Sequence, residues 1–114
     1  MNKLSYWEIP STDLAKTSEF LSGLFGWKME PSGDKYVMFS VEDGMGGGIE
    51  RTDKEPGHGI SVYIEVDDIP AKLKRVEELG GKVLRQKTEI GNDWGFWADF
   101  RDPGGATLGL WSKA

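Results

Sequence analysis

Alternation of apolar and polar residues is clearest near the C-terminus, where it predicts a β-hairpin formed by residues 96–101 and 107–111. The sequence Asp102-Pro103-Gly104-Gly105 between the two runs predicts a tight turn, because proline fixes its own φ and glycine permits positive φ. One face of the hairpin is apolar, and the other carries Trp97, Asp99, Gly109 and Trp111. We therefore expect a core on one face and a pocket on the other.

The first half of the chain predicts a strand, a helix and three short strands. Residues 3–9 alternate and predict the first strand, and Asp13 with its polar neighbours supplies helix-capping chemistry. Gly26 is expected to end the helix in the left-handed conformation. The following strands are predicted at residues 27–29, 36–41 and 45–51.

The second half repeats this order after a polar linker. Residues 60–66 predict a strand, and a second helix is predicted to begin at Asp67-Asp68 and end at Gly80-Gly81. A short strand at residues 82–84, a polar stretch and the hairpin complete the repeat. The chain therefore contains one βαβββ pattern twice, and a duplicated unit of this kind predicts two copies around a pseudo-twofold axis.

Composition narrows the possible partners. The chain has 114 residues, a length typical of one domain, and a formal net charge of −5, which argues against nucleic acid or an anionic membrane as partner. It has no cysteine, so disulfides and thiol chemistry are excluded. No stretch has the composition of a signal peptide or a membrane span, and we expect a cytoplasmic protein.

Four segments, taken in order, resemble one known superfamily: Leu24-Phe25-Gly26-Trp27, Val66-Asp67-Asp68-Ile69, Leu79-Gly80-Gly81-Lys82, and residues 102–111. They are similar to the vicinal oxygen chelate (VOC) superfamily of glyoxalase I, bleomycin-resistance proteins and extradiol dioxygenases. The resemblance implies an α+β fold whose two tandem βαβββ modules form a cupped eight-stranded mixed sheet with helices outside. It implies a single VOC domain over residues 1–114, with modules at about 1–51 and 60–114 and a linker at about 52–59. A small-molecule site in the cup and a homodimer are also implied.

Enzymes of this superfamily hold a divalent metal with four side chains, one from the first and one from the last strand of each module. The matching positions here are Tyr6, Glu50, Ser61 and Gly109. Only Glu50 carries a side chain of the type that ligates a divalent cation. The sequence therefore predicts no metal and no cofactor, and a divalent metal held by Glu50 with Glu8 or Glu65 is the alternative.

Strand parity extends the candidate site, because Glu8 shares a face with Tyr6, and Tyr63 and Glu65 share a face with Ser61. Glu8 and Glu65 in an apolar cup would have raised pKa values and could act as acid and base. The alternative is that they are solvated at the rim or form salt bridges on the helix side. Trp94, Trp97 and Trp111 form either an aromatic wall for a planar ligand or a dimer interface. The predicted ligand-binding set is Tyr6, Glu8, Glu50, Ser61, Tyr63, Trp97, Asp99, Gly109 and Trp111. His58, the single histidine, is interpreted as a loop residue.

These observations predict a glyoxalase/bleomycin-resistance-like protein that binds a small organic molecule without a metal. The alternative is a metal-dependent glyoxalase-like lyase or isomerase, or a dioxygenase-type enzyme. A third possibility is a protein that dimerises or regulates a partner and whose cup is filled by its own side chains. The sequence identifies neither the ligand nor any catalytic residue.

Overall fold

A computed structural model describes residues 1–53 and 59–114 of the protein. Contacts divide the chain into a first unit, Tyr6–Ser61, and a second unit, Met1–Ser5 with Val62–Ala114. The described residues form eight strands and two helices in the predicted βαβββ-βαβββ order. Their bounds are β1 (Lys3–Ser11), α1 (Leu14–Phe25), β2 (Lys28–Pro31), β3 (Tyr36–Ser40), β4 (Gly47–Arg51), β5 (Ser61–Glu65), α2 (Ile69–Glu78), β6 (Lys82–Glu89), β7 (Phe96–Arg101) and β8 (Thr107–Ser112).

The first unit has the strand order β2-β3-β4-β1, in which β1 is parallel to β4 and the other neighbours are antiparallel. Its buried core consists of Val37, Phe39 and Ile49. Trp7 and Trp27 pack against this core, and the Trp27 ring stacks on Phe39 with 4.9 Å between centroids. The alternation along β3 and β4 thus places one face on the core and leaves the other face polar.

Both ends of α1 have the predicted chemistry. The Lys16 amide donates to Asp13 Oδ1 at 3.0 Å, and Gly26 ends the helix with φ 75°. The apolar stripe of α1, which includes Phe20, Leu21 and Leu24, is only partly buried. Leu21 faces the core, whereas Phe20 and Leu24 are 65% and 59% exposed. Phe20 precedes Leu21 by one residue, which turns it about 100° away from the core-facing side.

The second unit has the strand order β5-β8-β7-β6, in which β5 is parallel to β8 and the other neighbours are antiparallel. Asp68 caps α2, since its Oδ1 accepts a hydrogen bond from the Ala71 amide at 3.0 Å. The helix buries Ile69 and Leu73 against Ala98 and Leu110 of the sheet. This core lies on the apolar face that the alternation predicted.

The C-terminal hairpin forms as predicted. The Asp102 amide donates to the Ala106 carbonyl at 2.9 Å, and Gly105 has φ 100°, so the turn uses the conformational freedom that glycine supplies. The polar stretch predicted after residue 84 is wrong, because β6 continues to Glu89 and pairs with β7. The second half of β6 consists mainly of polar residues, so the alternation of apolar and polar positions does not predict it.

Within the described ranges, 1–53 and 59–114, neither helix has the length and apolar composition required to cross a membrane.

Candidate functional site

The polar face of the first unit gathers two tyrosines, two glutamates and a glycine, which we call the tyrosine cluster: Tyr6, Glu8, Tyr36, Gly48 and Glu50. Strand register explains why they share a face, because Glu8 is the Cα partner of Gly48 on β4, and Tyr36 is the partner of Glu50. Tyr6, Glu8 and Tyr36 are partly buried, and Glu50 is exposed at the end of β4.

Hydrogen bonds link three members of the tyrosine cluster in a chain. The Tyr36 hydroxyl donates to Glu8 Oε2 at 2.8 Å, and the Tyr6 and Tyr36 hydroxyl oxygens are 2.5 Å apart. A phenol has one proton, so a Tyr36 that donates to Glu8 accepts from Tyr6. The direction of donation therefore runs from Tyr6 through Tyr36 to Glu8.

Gly48 makes this chain possible. The Tyr36 side chain starts on β3 and crosses β4 to reach Glu8 on β1, and a Cβ on Gly48 would overlap the Tyr36 hydroxyl. The neighbouring Gly47 is equally constrained, since a Cβ there would overlap the Trp7 carbonyl oxygen. The two strand glycines thus permit close packing around β4.

Burial and charge raise the pKa values of three members of the tyrosine cluster, Tyr6, Tyr36 and Glu50. Burial raises the pKa of Tyr36, and its hydrogen bond with Tyr6 and the charge of Glu8 raise it further. Burial also raises the pKa of Tyr6. The pKa of Glu50 is raised by burial of its carboxyl group and then by the charge of Glu8. Tyr6, Tyr36 and Glu50 are therefore shifted towards their protonated forms.

The polar face of the second unit carries what we call the tryptophan cluster: Tyr63, Arg85, Trp97, Asp99 and Gly109. Four of them form a cross-strand row, in which Tyr63 is the partner of Gly109, Gly109 of Asp99, and Asp99 of Arg85. The Tyr63 ring covers Gly109, because a Cβ there would lie 2.6 Å from Tyr63 Cε1. The row thus spans all four strands of the unit.

Trp97 connects the members of the tryptophan cluster. The Tyr63 ring meets it edge-on, with centroids 6.5 Å apart and an interplanar angle of 73°. The Arg85 guanidinium carbon lies 4.7 Å from the centroid of the Trp97 ring, which is a cation–π contact. Trp97 therefore has a cation on its ring and an aromatic neighbour at its side.

Trp111 is the cross-strand partner of Trp97, and its indole is tied to the loop before β7. Its Nε1 donates to the Trp94 carbonyl oxygen at 2.8 Å. Gly95, at φ 96°, lies beneath the ring, and a Cβ there would be 3.0 Å from Trp111 Nε1. Trp94 is 41% exposed. Both predictions for these tryptophan rings, a wall that contacts a planar ligand and a dimer interface, therefore stay predictions.

The two units are equivalent in their strand positions. Glu8 lies five residues before the helix cap Asp13, and Tyr63 lies five residues before the cap Asp68. Glu8 pairs with Gly48 as Tyr63 pairs with Gly109. The counterpart of Gly109 is therefore Gly48, and Glu50 lies two residues further along β4.

The donor set does not fit a divalent cation. Of the four positions that the resemblance implies, only Glu50 carries a suitable donor, and the strand pairing makes Gly48, which has no side chain, the counterpart of Gly109. The space beside Gly109 is filled by Tyr63. Across residues 1–53 and 59–114, no group of three or more His, Cys, Asp or Glu side chains is arranged to hold a metal ion.

The remaining predicted residues are less informative. Ser61 begins β5 and is partly buried. Asp99 is also partly buried, and its side chain has no hydrogen bond or ion pair to another described residue. His58 lies outside the described residues. Sequence reasoning missed Tyr36 and Arg85. Tyr36 could have been found from its place on β3 beside the glycine-rich strand β4, because glycines leave room for a neighbouring ring.

A sequence profile of the Glyoxalase/Bleomycin resistance protein/Dioxygenase superfamily matches residues 3–110, and the chain belongs to this superfamily. It is 30% identical to the anthracycline biosynthesis protein DnrV of Streptomyces peucetius over 96% of its own length. That match spans 46% of DnrV, about half of the relative. A glyoxylase-like domain-containing protein of Didymella fabae is 29% identical, with 93% of this chain and 90% of the relative covered.

Solved structures support the same fold. Hypothetical protein BH1468 from Bacillus halodurans C-125 matches with a TM-score of 0.77 at 18% identity, covering 98% of this chain and 94% of that one. A glyoxalase/bleomycin resistance protein/dioxygenase superfamily member from Vibrio splendidus 12B01 matches with a TM-score of 0.70 at 18% identity, covering 96% and 99%. At these identities the likeness concerns the fold alone, and it confirms the predicted fold class.

Proposed function

We propose that this protein binds a small, planar organic molecule on the polar faces of its sheet without a metal ion. The tyrosine cluster carries the proposal, because Tyr6, Tyr36 and Glu8 are partly buried and joined by hydrogen bonds. The raised pKa values of Tyr6, Tyr36 and Glu50 favour the protonated forms of these three side chains. Such groups orient a polar ligand through directional hydrogen bonds, while aromatic rings supply contact area.

The tryptophan cluster and one relative support the same proposal. Tyr63 and Trp97 present aromatic rings on a face that also carries Arg85 and Asp99. DnrV is named for anthracycline biosynthesis, and anthracyclines contain fused planar rings. A planar molecule with polar substituents suits rings and hydrogen-bonding groups of this kind.

Metal analysis tests the metal-free part of the proposal. Elemental analysis is made on protein purified without added metal, and again after incubation with nickel, zinc or manganese and removal of the excess. We expect substoichiometric metal in every sample, because the described residues offer too few donors. One tightly held ion per chain would contradict this part.

A screen of planar organic compounds by thermal shift, followed by calorimetry, tests ligand binding. We expect at least one class of planar compound to raise the melting temperature in a concentration-dependent manner. Tyr36→Phe should weaken the response to ligands that use the tyrosine cluster, whereas Gly23→Ala in α1 serves as a distant control. A screen without any stabilising compound would favour a role in dimerisation or regulation.

The second candidate is a glyoxalase-like lyase or isomerase, or a dioxygenase-type enzyme. The raised pKa of Glu50 favours it, because a carboxyl group of this kind exchanges protons closer to neutral pH. Assays of purified protein with and without added nickel, zinc or manganese separate this candidate from a binding protein. Turnover that is lost in Glu50→Gln would establish the enzyme.

A homodimer is part of the proposal and is supported by the exposed apolar side of α1. Phe20 and Leu24 are four residues apart, on one side of the helix, and both are largely exposed. Sedimentation analysis of wild type and Phe20→Ser tests it, and a monomeric wild type would contradict it. The cytoplasmic location stays a prediction that cell fractionation tests.

A further inference from the structure

Arg85 reaches the polar face of the second unit through an irregularity of β6. Val83 is the cross-strand partner of Phe100 on the core side, and strict alternation would place Arg85 on that side as well. A register shift between Val83 and Arg85 instead brings Arg85 opposite Asp99. A second shift follows before Thr88. Bulges of this kind redirect a side chain and are frequent beside binding sites.

The guanidinium of Arg85 is held in place but its hydrogen-bonding capacity is unused. Its charge lies on the Trp97 ring, at 4.7 Å from the centroid. The Arg85 side chain forms no ion pair and no hydrogen bond with the part of the chain that the structure describes. A guanidinium has five N–H donors in a planar fork that matches the two oxygens of a carboxylate.

Trp97 is itself fixed, so the cation on it has a defined position. The Tyr63 ring supports it from one side and packs closely over Gly109. Trp111 is its neighbour on β8. Aromatic surface and an oriented cation are therefore adjacent, which is the combination that an aromatic ring bearing an acidic group requires.

We infer that Arg85 and Trp97 form a carboxylate-binding subsite, and that the ligand of this protein is a planar aromatic acid. The inference rests on the proposed function and specifies its ligand class. The carboxylate accepts hydrogen bonds from the Arg85 guanidinium, and the aromatic part of the ligand contacts the Trp97 and Tyr63 rings.

Asp99 limits the charge of the acid. It is the cross-strand partner of Arg85, and it is partly buried, without an ion pair to a described residue. Its negative charge opposes an anion beside it, and the opposition increases with the charge of the anion. A singly charged carboxylate should therefore bind better than a doubly charged phosphate ester.

Calorimetry with four simple probes tests the subsite: benzoate, its uncharged isostere benzamide, the non-planar cyclohexanecarboxylate, and phenyl phosphate. With wild-type protein, benzoate should bind at least about tenfold more tightly than each of the other three, which corresponds to about 1.4 kcal/mol. Arg85→Gln should remove the advantage of benzoate over benzamide. Arg101→Gln is the matched control, because it removes the same charge from β7, and it should leave the advantage intact.

NMR of the wild-type protein provides a second test that does not depend on whether the Arg85 variants fold. Benzoate should shift the side-chain Nε–H resonance of Arg85 and the indole N–H resonance of Trp97 in NMR spectra of the wild-type protein, and benzamide should shift the Arg85 signal less. Arg85→Lys, which keeps the charge but lacks the fork, should retain only part of the affinity.

The outcomes separate this inference from the proposed function. If benzamide binds as well as benzoate, or if Arg85→Gln leaves benzoate binding unchanged, the subsite is refuted while small-molecule binding stands. If none of the four probes binds but the wider compound screen finds uncharged ligands, the subsite is again refuted alone. If no organic compound binds in either experiment, both proposals are refuted.

Discussion

Tyr36 and Glu8 lie on strands that are not neighbours, and a 2.8 Å hydrogen bond joins them across the strand between. The bond exists because β4 has a glycine at the crossing point, where the Tyr36 ring takes the space of a side chain. Tyr6 extends the same chain of hydroxyl groups. The geometry of the tyrosine cluster thus depends on the strand register, on the absence of a Cβ at Gly48, and on the hydrogen bonds of the two phenols.

Tyr36→Phe should destabilise the protein by about 1–2 kcal/mol, because it removes one donated and one accepted hydrogen bond in a partly buried position. Urea unfolding measures the loss. Combining it with Glu8→Gln in a double-mutant cycle should give a coupling energy of about 0.5 kcal/mol or more. Strict additivity of the two changes would show that the bond contributes nothing to stability.

Gly48→Ala should lower the free energy of unfolding by about 1–3 kcal/mol, since the new Cβ displaces the Tyr36 ring from Glu8. Gly23→Ala provides the matched control, because nothing lies within 4 Å of its Cβ position in α1. That change should stabilise the protein by about 0.5–1 kcal/mol. Thermal and urea unfolding of both variants check the opposite signs, and equal effects would refute the crossing of Tyr36 over Gly48.

Glu50→Gln should alter the pH dependence of stability. The folded state raises the pKa of Glu50 above its ordinary value of 4.5, so the folded protein binds this proton more tightly than the unfolded chain. Stability of the wild type therefore falls as pH rises from 4.5 through the folded pKa. The variant should be the more stable protein near neutral pH, and the difference should shrink below pH 4.5. Melting curves across this range measure it, and a constant difference would contradict the raised pKa.

Asp68→Ala should destabilise the protein by about 1 kcal/mol, because the Ala71 amide loses its acceptor at the first turn of α2. Asp13→Ala should cost a similar amount at α1, where the cap has the same extended geometry. Asp68→Asn keeps an oxygen acceptor and should recover most of the stability. Chemical denaturation of the three variants checks the prediction, and a loss in Asp68→Asn equal to that in Asp68→Ala would argue against capping.

Much of the fold was predictable because local chemistry determines where its elements begin and end. Asp13 and Gly26 delimit α1, and the turn at Asp102 delimits the hairpin, each through interactions within a few residues. The full length of β6 was not predictable from alternation, because its two register shifts break the two-residue period. The exposure of Phe20 depends on how α1 packs on the sheet, which the stripe itself does not specify.

For the candidate site, the sequence predicted only which residues of one strand share a face, because that follows from the two-residue period of a strand. Parity correctly grouped Tyr6 with Glu8 and placed Tyr63 and Trp97 on polar faces. It gave no reason to choose Tyr36, since the contact with Glu8 depends on a ring that crosses an intervening strand. Arg85 was hidden for the opposite reason, because alternation assigns it to the core face that the bulge in β6 turns it away from.

The paired glycines Gly48 and Gly109 leave a gap in the side-chain layer at equivalent points of the duplicated unit. A ring from β3 fills the gap in one copy, and a ring from β5 fills it in the other. The same backbone position therefore accepts an aromatic ring from either neighbouring strand. The ring over each glycine can differ between the two copies while the strand pairing around it stays the same.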